Sequence, residues 1–282
     1  MLDDIKTAYR SLRSSRAFAW VALTVLALGI GSGTAMFSVI DAVVLRGLPF
    51  DEYDRLGVVY GKDTKRAVTF GERQATSQTF LDWRSAQQPF QQITAVSGVQ
   101  FRLRTETTEP ADARATRVTW EFFPVLRVTP ALGRPFNADD EIDGKQPVTI
   151  LGYGFWQRRF GGSPDVIGRT IDLNETPYQI VGVMPRSFSY PVGSNRASDL
   201  LVPQLFGKAE RTKADGHNYT YTIIGRLKDG VSIAQANERM WHLSEQLETQ
   251  NPKWESGRRA RVVTLSDHLL GQVRGWMLFA IL

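Results

Sequence analysis

The longest apolar stretch of the chain lies near its N-terminus, where residues 17–40 contain no charged side chain. About 24 such residues are enough to cross a lipid bilayer as one helix. Basic residues precede the stretch, whereas the segment after it carries Arg46, Asp51, Glu52 and Asp54. Since basic residues collect on the cytoplasmic side of membranes, the N-terminus is expected in the cytoplasm. The pattern predicts a membrane-spanning helix over residues 17–45 and an extracytoplasmic remainder.

A cleaved signal peptide is the competing interpretation of this stretch. The apolar core of a signal peptide is about 7 to 15 residues long and ends at a cleavage site of small residues. Here the stretch is longer, and Phe37, Val39 and Ile40 continue it beyond the small residues. This pattern favours a retained anchor.

Residues 1–16 predict an amphipathic helix in the cytoplasmic membrane interface. At 100° per residue, four apolar residues share one face, and three basic residues fall beside it: Lys6, Arg10 and Arg13. This arrangement is typical of helices that lie on anionic lipid, so the three basic residues are predicted membrane-interface residues. A frayed basic leader without helical structure is the alternative.

Small residues within the apolar stretch predict a packing face for another helix. Gly29 and Gly33 form a GxxxG pair, and Gly31 forms a second pair of small residues with Ala27. The three glycines do not fit a phosphate-binding loop, because no strand precedes them and no Lys-Ser/Thr follows them. Packing against other membrane helices is therefore predicted.

The C-terminus begins a second apolar run over residues 275–282. About eight residues cannot span a membrane. Either the run docks on the membrane surface as a short tail, or residues 269–282 are the start of a truncated second membrane helix. The second interpretation is favoured.

Between these segments, residues 46–268 predict an α+β domain in which strands and helices are mixed. Predicted strands lie at Leu56–Tyr60, Ile93–Ser97, Val99–Arg104, Ala113–Thr119, Val148–Leu151, Thr170–Leu173, Tyr178–Val183, Tyr219–Leu227 and Arg261–Leu265. Helices are predicted after Ser77, over Glu121–Leu126, around Phe155–Phe160 and between Ser232 and Pro252, and residues 137–146 are predicted as a loop. A strand, helix and strand occur at both ends of the domain. This order suggests two lobes, one porter-like lobe formed by about 50–119 and 216–268 and one inserted lobe over about 120–215.

Composition gives no support for catalysis or nucleic-acid binding. Cysteine is absent, and the formal charge is only +5. The three histidines lack the spacing of a metal site, and neither a GxSxG nor a GxxxxGK[ST] motif occurs. An acidic group at residues 139–143 could hold calcium but lacks the EF-hand spacing, so a solvated loop is favoured. The sequence predicts no catalytic, cofactor-binding or metal-binding residue.

Several motifs follow one another in a fixed order along the chain. Two lie in the first helix and its exit, and six lie in the domain: Leu26–Gly31, Phe37–Phe50, Phe122–Leu126, Pro130–Phe136, Trp156–Gly161, Val166–Gly168, Ile180–Pro185 and Gly225–Val231. Together they resemble MacB/FtsX-type ABC transporter permeases and their MacB-like periplasmic core domain. The chain is similar in particular to the long, duplicated permeases without a fused ATPase.

This resemblance implies a non-catalytic permease subunit of an efflux system in the bacterial inner membrane. The large domain between the first and second membrane helices is then periplasmic. A separate cytoplasmic ABC ATPase is the implied partner, and its ATP hydrolysis would move the periplasmic domain to export or release a substrate. A homodimer or paired permease half, membrane lipid and a periplasmic partner are also implied. The alternative is a single-pass membrane-anchored periplasmic binding or sensory module.

Overall fold

The computed structural model describes residues 16–40, 48–63, 72–73, 75–86, 89–105, 108–192, 194, 197–207, 220–250, 252, 257–269 and 271. The chain forms two units, Met1–Gly47 and Leu48–Leu282. The predicted interfacial helix, with Lys6, Arg10 and Arg13, lies outside the described residues. Most of the predicted second membrane segment, residues 269–282, lies outside them as well.

The first unit contains one long helix, α1 (Arg16–Ile40), of 25 residues. Large apolar side chains such as Trp20 and Leu28 are exposed on it. Within the described part of the chain, no helix combines the length and apolarity that a membrane crossing requires. The helix is thus found where the sequence predicts one, and the membrane crossing over residues 17–45 stays a prediction.

Besides a short helical segment at residues 265–269, the second unit contains eleven described strands and four described α-helices. The strands are β1 (Leu56–Asp63), β2 (Glu72–Arg73), β3 (Phe90–Thr105), β4 (Thr108–Val118), β5 (Leu132–Gly133), β6 (Val148–Leu151), β7 (Thr170–Leu173), β8 (Thr176–Val183), β9 (Leu200–Pro203), β10 (Thr222–Leu227) and β11 (Arg258–Thr264). The helices are α2 (Ser77–Ser85), α3 (Phe122–Leu126), α4 (Tyr153–Phe160) and α5 (Ile233–Gln250). This composition confirms the predicted mixture of helices and strands.

All eleven strands join in one mixed sheet. Its main order is β11-β1-β10-β3-β4-β9-β6-β8-β5, while β2 pairs with β1, and β7 pairs with both β3 and β8. The pairs β4–β9 and β6–β8 are parallel, and the other pairs are antiparallel. Strands of the predicted porter-like lobe occupy one end of this order and those of the predicted inserted lobe the other. The division of the domain into two lobes stays a prediction.

The central strands are buried on both faces. Neighbouring residues point to opposite sides of a strand, so they pack into different apolar clusters. Val58 packs in one apolar cluster with α3, and Val59 packs in another with α2 and α5. Ile223 and Ile224 on β10 divide between the same two clusters. A third cluster fills the other end of the sheet beneath α4. The sheet therefore contributes residues to all three apolar clusters.

Two glycines face each other across β1 and β10 and make room for one aromatic ring. Gly57 pairs with Gly225 in the sheet. A Cβ atom at Gly225 would lie 2.5 Å from the Phe90 ring, and one at Gly57 would lie 3.3 Å from it. Phe90 is 1% exposed and packs directly against the backbone of these strands. A side chain at Gly225 would force this ring out of place.

The edge strand β11 is covered by α5. The side-chain amide of Asn237 donates to the carbonyl oxygen of Val262 at 2.8 Å and accepts from the Val262 N–H at 2.7 Å. Ser244 accepts a hydrogen bond from the Ala260 N–H at 2.9 Å. Because an open edge can pair with another chain, these contacts protect the sheet against such pairing.

Most predicted elements are confirmed, including the predicted hairpin between β7 and β8, where Asn174 and Glu175 adopt positive φ angles of 51° and 65°. Three predictions were wrong in detail. Thr76 rather than Ser77 caps α2. The two strands predicted around Gly98 are one strand, β3. A short 3-10 helix, Ala138–Glu141, lies in the predicted loop because Asn137 caps its N–H groups.

Candidate functional site

The candidate functional site is a network of hydrogen bonds centred on Arg226, the next-to-last residue of β10. Arg226 is 1% exposed and is among the largest fully buried side chains. Its Nε donates to the carbonyl oxygen of Val125 at 2.8 Å. Its Nη1 and Nη2 donate to the carbonyl oxygens of Glu52 and Asp51 at 3.2 and 2.8 Å. One guanidinium thus joins β10, helix α3 and the start of the domain.

Burying a cation is costly unless its donors are satisfied. Burial, followed by repulsion from Arg127, lowers the pKa of Arg226 below its ordinary value. Arginine nevertheless stays charged, because its ordinary pKa lies far above neutrality. The Glu52 carboxylate stands 3.8 Å from Nη1 and contributes a compensating charge. The site therefore depends on the three carbonyl acceptors being held in place.

A second arginine, Arg127, forms ion pairs with the side chains of Asp51 and Glu52. Arg127 ends α3 in the left-handed conformation, with a φ of 53°. Its Nη1 lies 2.6 Å from the Asp51 carboxylate and 2.8 Å from that of Glu52. Hydrogen bonds from Arg127 and then Arg55 lower the pKa of Glu52. At neutral pH the Glu52 carboxylate is therefore charged and pairs with these arginines.

Arg55 is the third arginine of the network and contacts the end of β10 and the turn after it. It pairs with Glu52 at 2.7 Å and with Asp229 at 2.5 Å. Its Nη2 also donates to the carbonyl oxygen of Leu227 at 2.6 Å. We call residues 48–55 the lead-in segment, because they connect the first unit of the chain to β1. The Arg226 network binds this segment to a central strand rather than to a surface loop.

Apolar packing secures the lead-in segment on its other side. Leu48 and Phe50 are each 6% exposed and belong to the core cluster beneath α3. Burying side chains of this size contributes about 1.5 to 3 kcal/mol each. The segment is thus fixed by polar contacts at residues 51–55 and by apolar contacts at residues 48 and 50.

A short helical segment after β11 contacts the same strands. Residues 265–269 are helical and follow β11 directly. His268 shares a hydrogen bond between its Nδ1 and the hydroxyl of Tyr60 on β1. Burial lowers the pKa of His268, so its ring is neutral at pH 7. Both the lead-in segment and this closing segment, residues 265–269, are therefore attached to the β1 and β10 region.

The acidic group at residues 139–143 is held by arginines. Asp140 receives two hydrogen bonds from Arg134, at 2.6 and 2.9 Å. Glu141 accepts from the Trp120 N–H at 2.6 Å and pairs with Arg84 at 3.2 Å. Within the described residues, no three His, Asp or Glu side chains are placed to hold a metal ion. The calcium alternative therefore gains no support from these residues.

The predicted packing glycines lie on α1 with open space around them. A Cβ atom at Gly29, Gly31 or Gly33 would meet no heavy atom within 4 Å outside the helix's own backbone. Since the structure contains a single chain, their predicted contact with another helix is not tested. Of the histidines, His242 pairs with Glu245 and His217 lies outside the described residues.

Sequence reasoning overlooked Arg226 as a site residue, although its motif was recognised. A single cation in the apolar run Ile223-Ile224-Gly225-Arg226-Leu227 was the available signal. Its three acceptors lie 101, 174 and 175 positions away in the chain. Their approach depends on the folded sheet, so the run alone could not indicate them.

The fold and this network can be compared with known proteins. The family model for the MacB-like periplasmic core domain matches residues 19–243. The chain therefore belongs to the family of MacB-like periplasmic core domains, as its motifs predicted. The match includes the lead-in segment, α3 and β10, so all parts of the Arg226 network lie within it.

Relatives and solved structures agree with this family. The macrolide export ATP-binding/permease protein MacB of Shigella dysenteriae is 24% identical over 249 residues, covering 86% of this chain and 36% of that protein. The chain thus spans about a third of the length of this relative. A domain of a proposed permease protein from Porphyromonas gingivalis has a TM-score of 0.58 at 17% identity, covering 77% of this chain and 93% of that one. The periplasmic region of MacB from Actinobacillus actinomycetemcomitans has a TM-score of 0.50 at 16% identity, covering 78% and 92%. These structures support the fold.

Proposed function

We propose that the chain serves in the permease subunit of an ABC transporter, with its second unit in the periplasm. ATP hydrolysis in a separate cytoplasmic ATPase moves this domain, which exports or releases a substrate on the periplasmic side. Membership of the MacB-like periplasmic core domain family supports the proposal. A relative named as a macrolide export ATP-binding/permease protein supports the transport role.

The proposal places α1 across the inner membrane with the N-terminus in the cytoplasm. Residues 17–40 lack charge, and basic residues precede them. The exposed apolar side chains of α1, such as Trp20 and Leu28, suit contact with lipid or with another membrane helix. Gly29, Gly31 and Gly33 supply the face for a second permease copy or half.

The observation that carries the proposal is the attachment of the lead-in segment to β10 through Arg226. A displacement of the preceding helix reaches the domain through residues 48–55. Because Arg226 binds two carbonyl oxygens of this segment and one of α3, the displacement moves the sheet and α3 together. A loosely tethered domain would instead absorb the motion in its linker.

Recovery of the native complex tests the partner. The tagged permease is purified from its own membranes, and copurifying ATPases are identified by mass spectrometry. We expect an ABC-type ATPase in stoichiometric amount, with vanadate-sensitive hydrolysis in the purified fraction. Recovery of the permease without any ABC ATPase, under conditions that preserve other membrane complexes, would favour a tethered binding or sensory module and contradict the proposal.

The role of Arg226 is tested in the same complex with the substitution Arg226→Gln. Ser187 is exposed, and the chain lacks cysteine, so Ser187→Cys provides a single labelling site in the domain. We expect ATP to change the labelling rate in the parent protein and to change it less when Arg226 is replaced, while the ATPase still copurifies. The exposed Arg186→Gln serves as the matched control. Equal ATP responses in all three proteins would remove Arg226 from the coupling path.

A further inference from the structure

A small cavity lies away from the Arg226 network, at the N-terminus of α4. Its volume is about 200 Å³. The first turn of α4, the segment after β8 and the segment before β9 surround it, and Arg114 on β4 contributes to its wall. A water molecule occupies about 30 Å³ of liquid, so the cavity has room for roughly six water-sized groups. It suits a small molecule rather than a peptide or a drug-sized ligand.

The charge of the cavity is positive and incompletely balanced. Two arginines, Arg114 and Arg158, line it, and Asp199 is the single carboxylate among its described lining residues. Asp199 pairs with Arg158 at 2.7 Å and accepts the backbone N–H of Arg114 at 3.1 Å. No ion pair found among the described residues includes the Arg114 guanidinium, and its Nε is buried without a hydrogen-bond partner. The positive charge of Arg114 therefore has no counter-ion among the described residues of this cavity.

Helix α4 adds unsatisfied donors to the same wall. Its first N–H groups have no capping side chain, because the residue before the helix is Gly152. A Cβ atom at Gly152 would lie 2.7 Å from the carbonyl oxygen of Ser198, so glycine lets the two segments approach closely. The positive end of the helix and the Arg114 guanidinium both favour an anion.

Another part of the wall is apolar and aromatic. Phe155, Phe188 and Tyr190 line the cavity together with Met184 and Leu201. This part gives an inorganic anion no favourable contact, whereas an apolar group gains free energy on leaving water. The ligand should therefore join one anionic group to a compact apolar body.

We propose that this cavity binds a small organic carboxylate, with its carboxylate held by Arg114 and its apolar body among the aromatic side chains. The carboxylate lies beside the Arg114 guanidinium and accepts from the uncapped N–H groups of α4. The inference does not depend on the proposed transport role, since it concerns binding to the folded chain alone.

Calorimetric titration of the full 282-residue chain with benzoate tests the site. Benzamide is the neutral probe of matched shape, and inorganic phosphate is the anion without an apolar body. We expect saturable benzoate binding with a Kd of about 1 mM or tighter and at least tenfold weaker binding of both other probes. No benzoate binding, or equal binding of benzoate and either other probe, would overturn the proposal.

Two variants locate the binding. Arg114→Gln should weaken benzoate binding about tenfold or more, because it removes the charge that faces the carboxylate. Arg117→Gln on the same strand is the matched control, since Arg117 lies over the Phe101 ring and outside the cavity. Ala197 is exposed where it lines the cavity, so Ala197→Trp should block access without altering the core. Unchanged binding in the Ala197→Trp variant would overturn the proposal even if Arg114→Gln fails to fold.

Discussion

Arg226 donates a hydrogen bond from Nη2 to the carbonyl oxygen of Asp51 at 2.8 Å, although 175 positions separate the two residues in the chain. The contact joins the first residues of the domain to a strand formed near its end. Arg226 also bonds Glu52 and Val125 through their carbonyl oxygens. Arg226 thus joins the start of the domain to a strand near its end.

Replacing Arg226 by Met should lower the free energy of unfolding by about 3 kcal/mol. Methionine can fill the space of the aliphatic stem but leaves three carbonyl groups without their donor. Urea denaturation followed by circular dichroism measures the change. Arg186→Met on the exposed turn should change the free energy by less than about 0.5 kcal/mol. A loss at Arg226 as small as at Arg186 would show that water satisfies the carbonyl groups equally well.

The pH dependence of stability should include a contribution from Glu141. Burial raises the pKa of Glu141 above 4.5, and the Arg84 guanidinium offsets this only in part. The folded state therefore binds this proton more tightly than the unfolded state, and stability is lost as pH rises from 4.5 through the folded pKa.

Glu141→Gln removes this titration while retaining a side-chain oxygen as acceptor for the Trp120 N–H. Urea denaturation between about pH 4.5 and pH 7.5 should therefore show the parent losing stability relative to this variant as pH rises. Asp143→Asn, at an exposed position of the same loop, is the control. The stability difference between the parent and this variant should change less with pH than the difference between the parent and the Glu141 variant. A parallel dependence in the parent and the Glu141 variant would contradict the expectation.

The glycine face of α1 should determine association in membranes. Gly29→Leu with Gly33→Leu should reduce crosslinked dimer of the full permease several-fold, since close helix approach requires small residues. Both glycines lie outside the unit Leu48–Leu282, so that domain should fold normally. Val21→Leu on the same helix should leave crosslinking unchanged. Unaltered dimer in the double variant would show that these glycines are not an interface.

The N-terminal peptide of residues 1–16 should bind anionic vesicles through its basic residues. Changing Lys6, Arg10 and Arg13 to Glu should weaken binding by about 3 kcal/mol or more, roughly a hundredfold. Cosedimentation with vesicles rich in phosphatidylserine measures this change, and neutral phosphatidylcholine vesicles are the control. Equal binding of the two peptides to the anionic vesicles would remove the interfacial interpretation.

Local patterns in the sequence were sufficient for most elements of the domain. The helix predicted between Ser232 and Pro252 is α5, and Ala236, Met240 and Leu247 on it are buried. Strand β9 was overlooked, because its four residues Leu200–Pro203 form a short apolar run that ends in proline. Gly98 resembled a break between strands, yet β3 continues through it in register with Thr116. The local sequence does not show whether a short apolar run forms a strand or whether a strand continues through a single glycine.

The candidate site was less predictable than the fold. Motif resemblance included Gly225 and Arg226 but could not indicate what either residue contacts. The structure supplies the reasons, because Gly225 makes room for Phe90 and Arg226 binds the lead-in segment. Both contacts join residues that are distant in the chain, so only the folded sheet brings them together.

The orientation of the chain in the membrane tests the account most directly. Because the chain contains no cysteine, Thr7→Cys and Ser187→Cys can each be introduced as its only thiol. A membrane-impermeant maleimide is applied to intact spheroplasts and to lysed membranes. The account predicts that Ser187→Cys reacts in intact spheroplasts and Thr7→Cys reacts only after lysis. Labelling of Ser187→Cys only after lysis would place the domain in the cytoplasm and contradict a periplasmic permease domain.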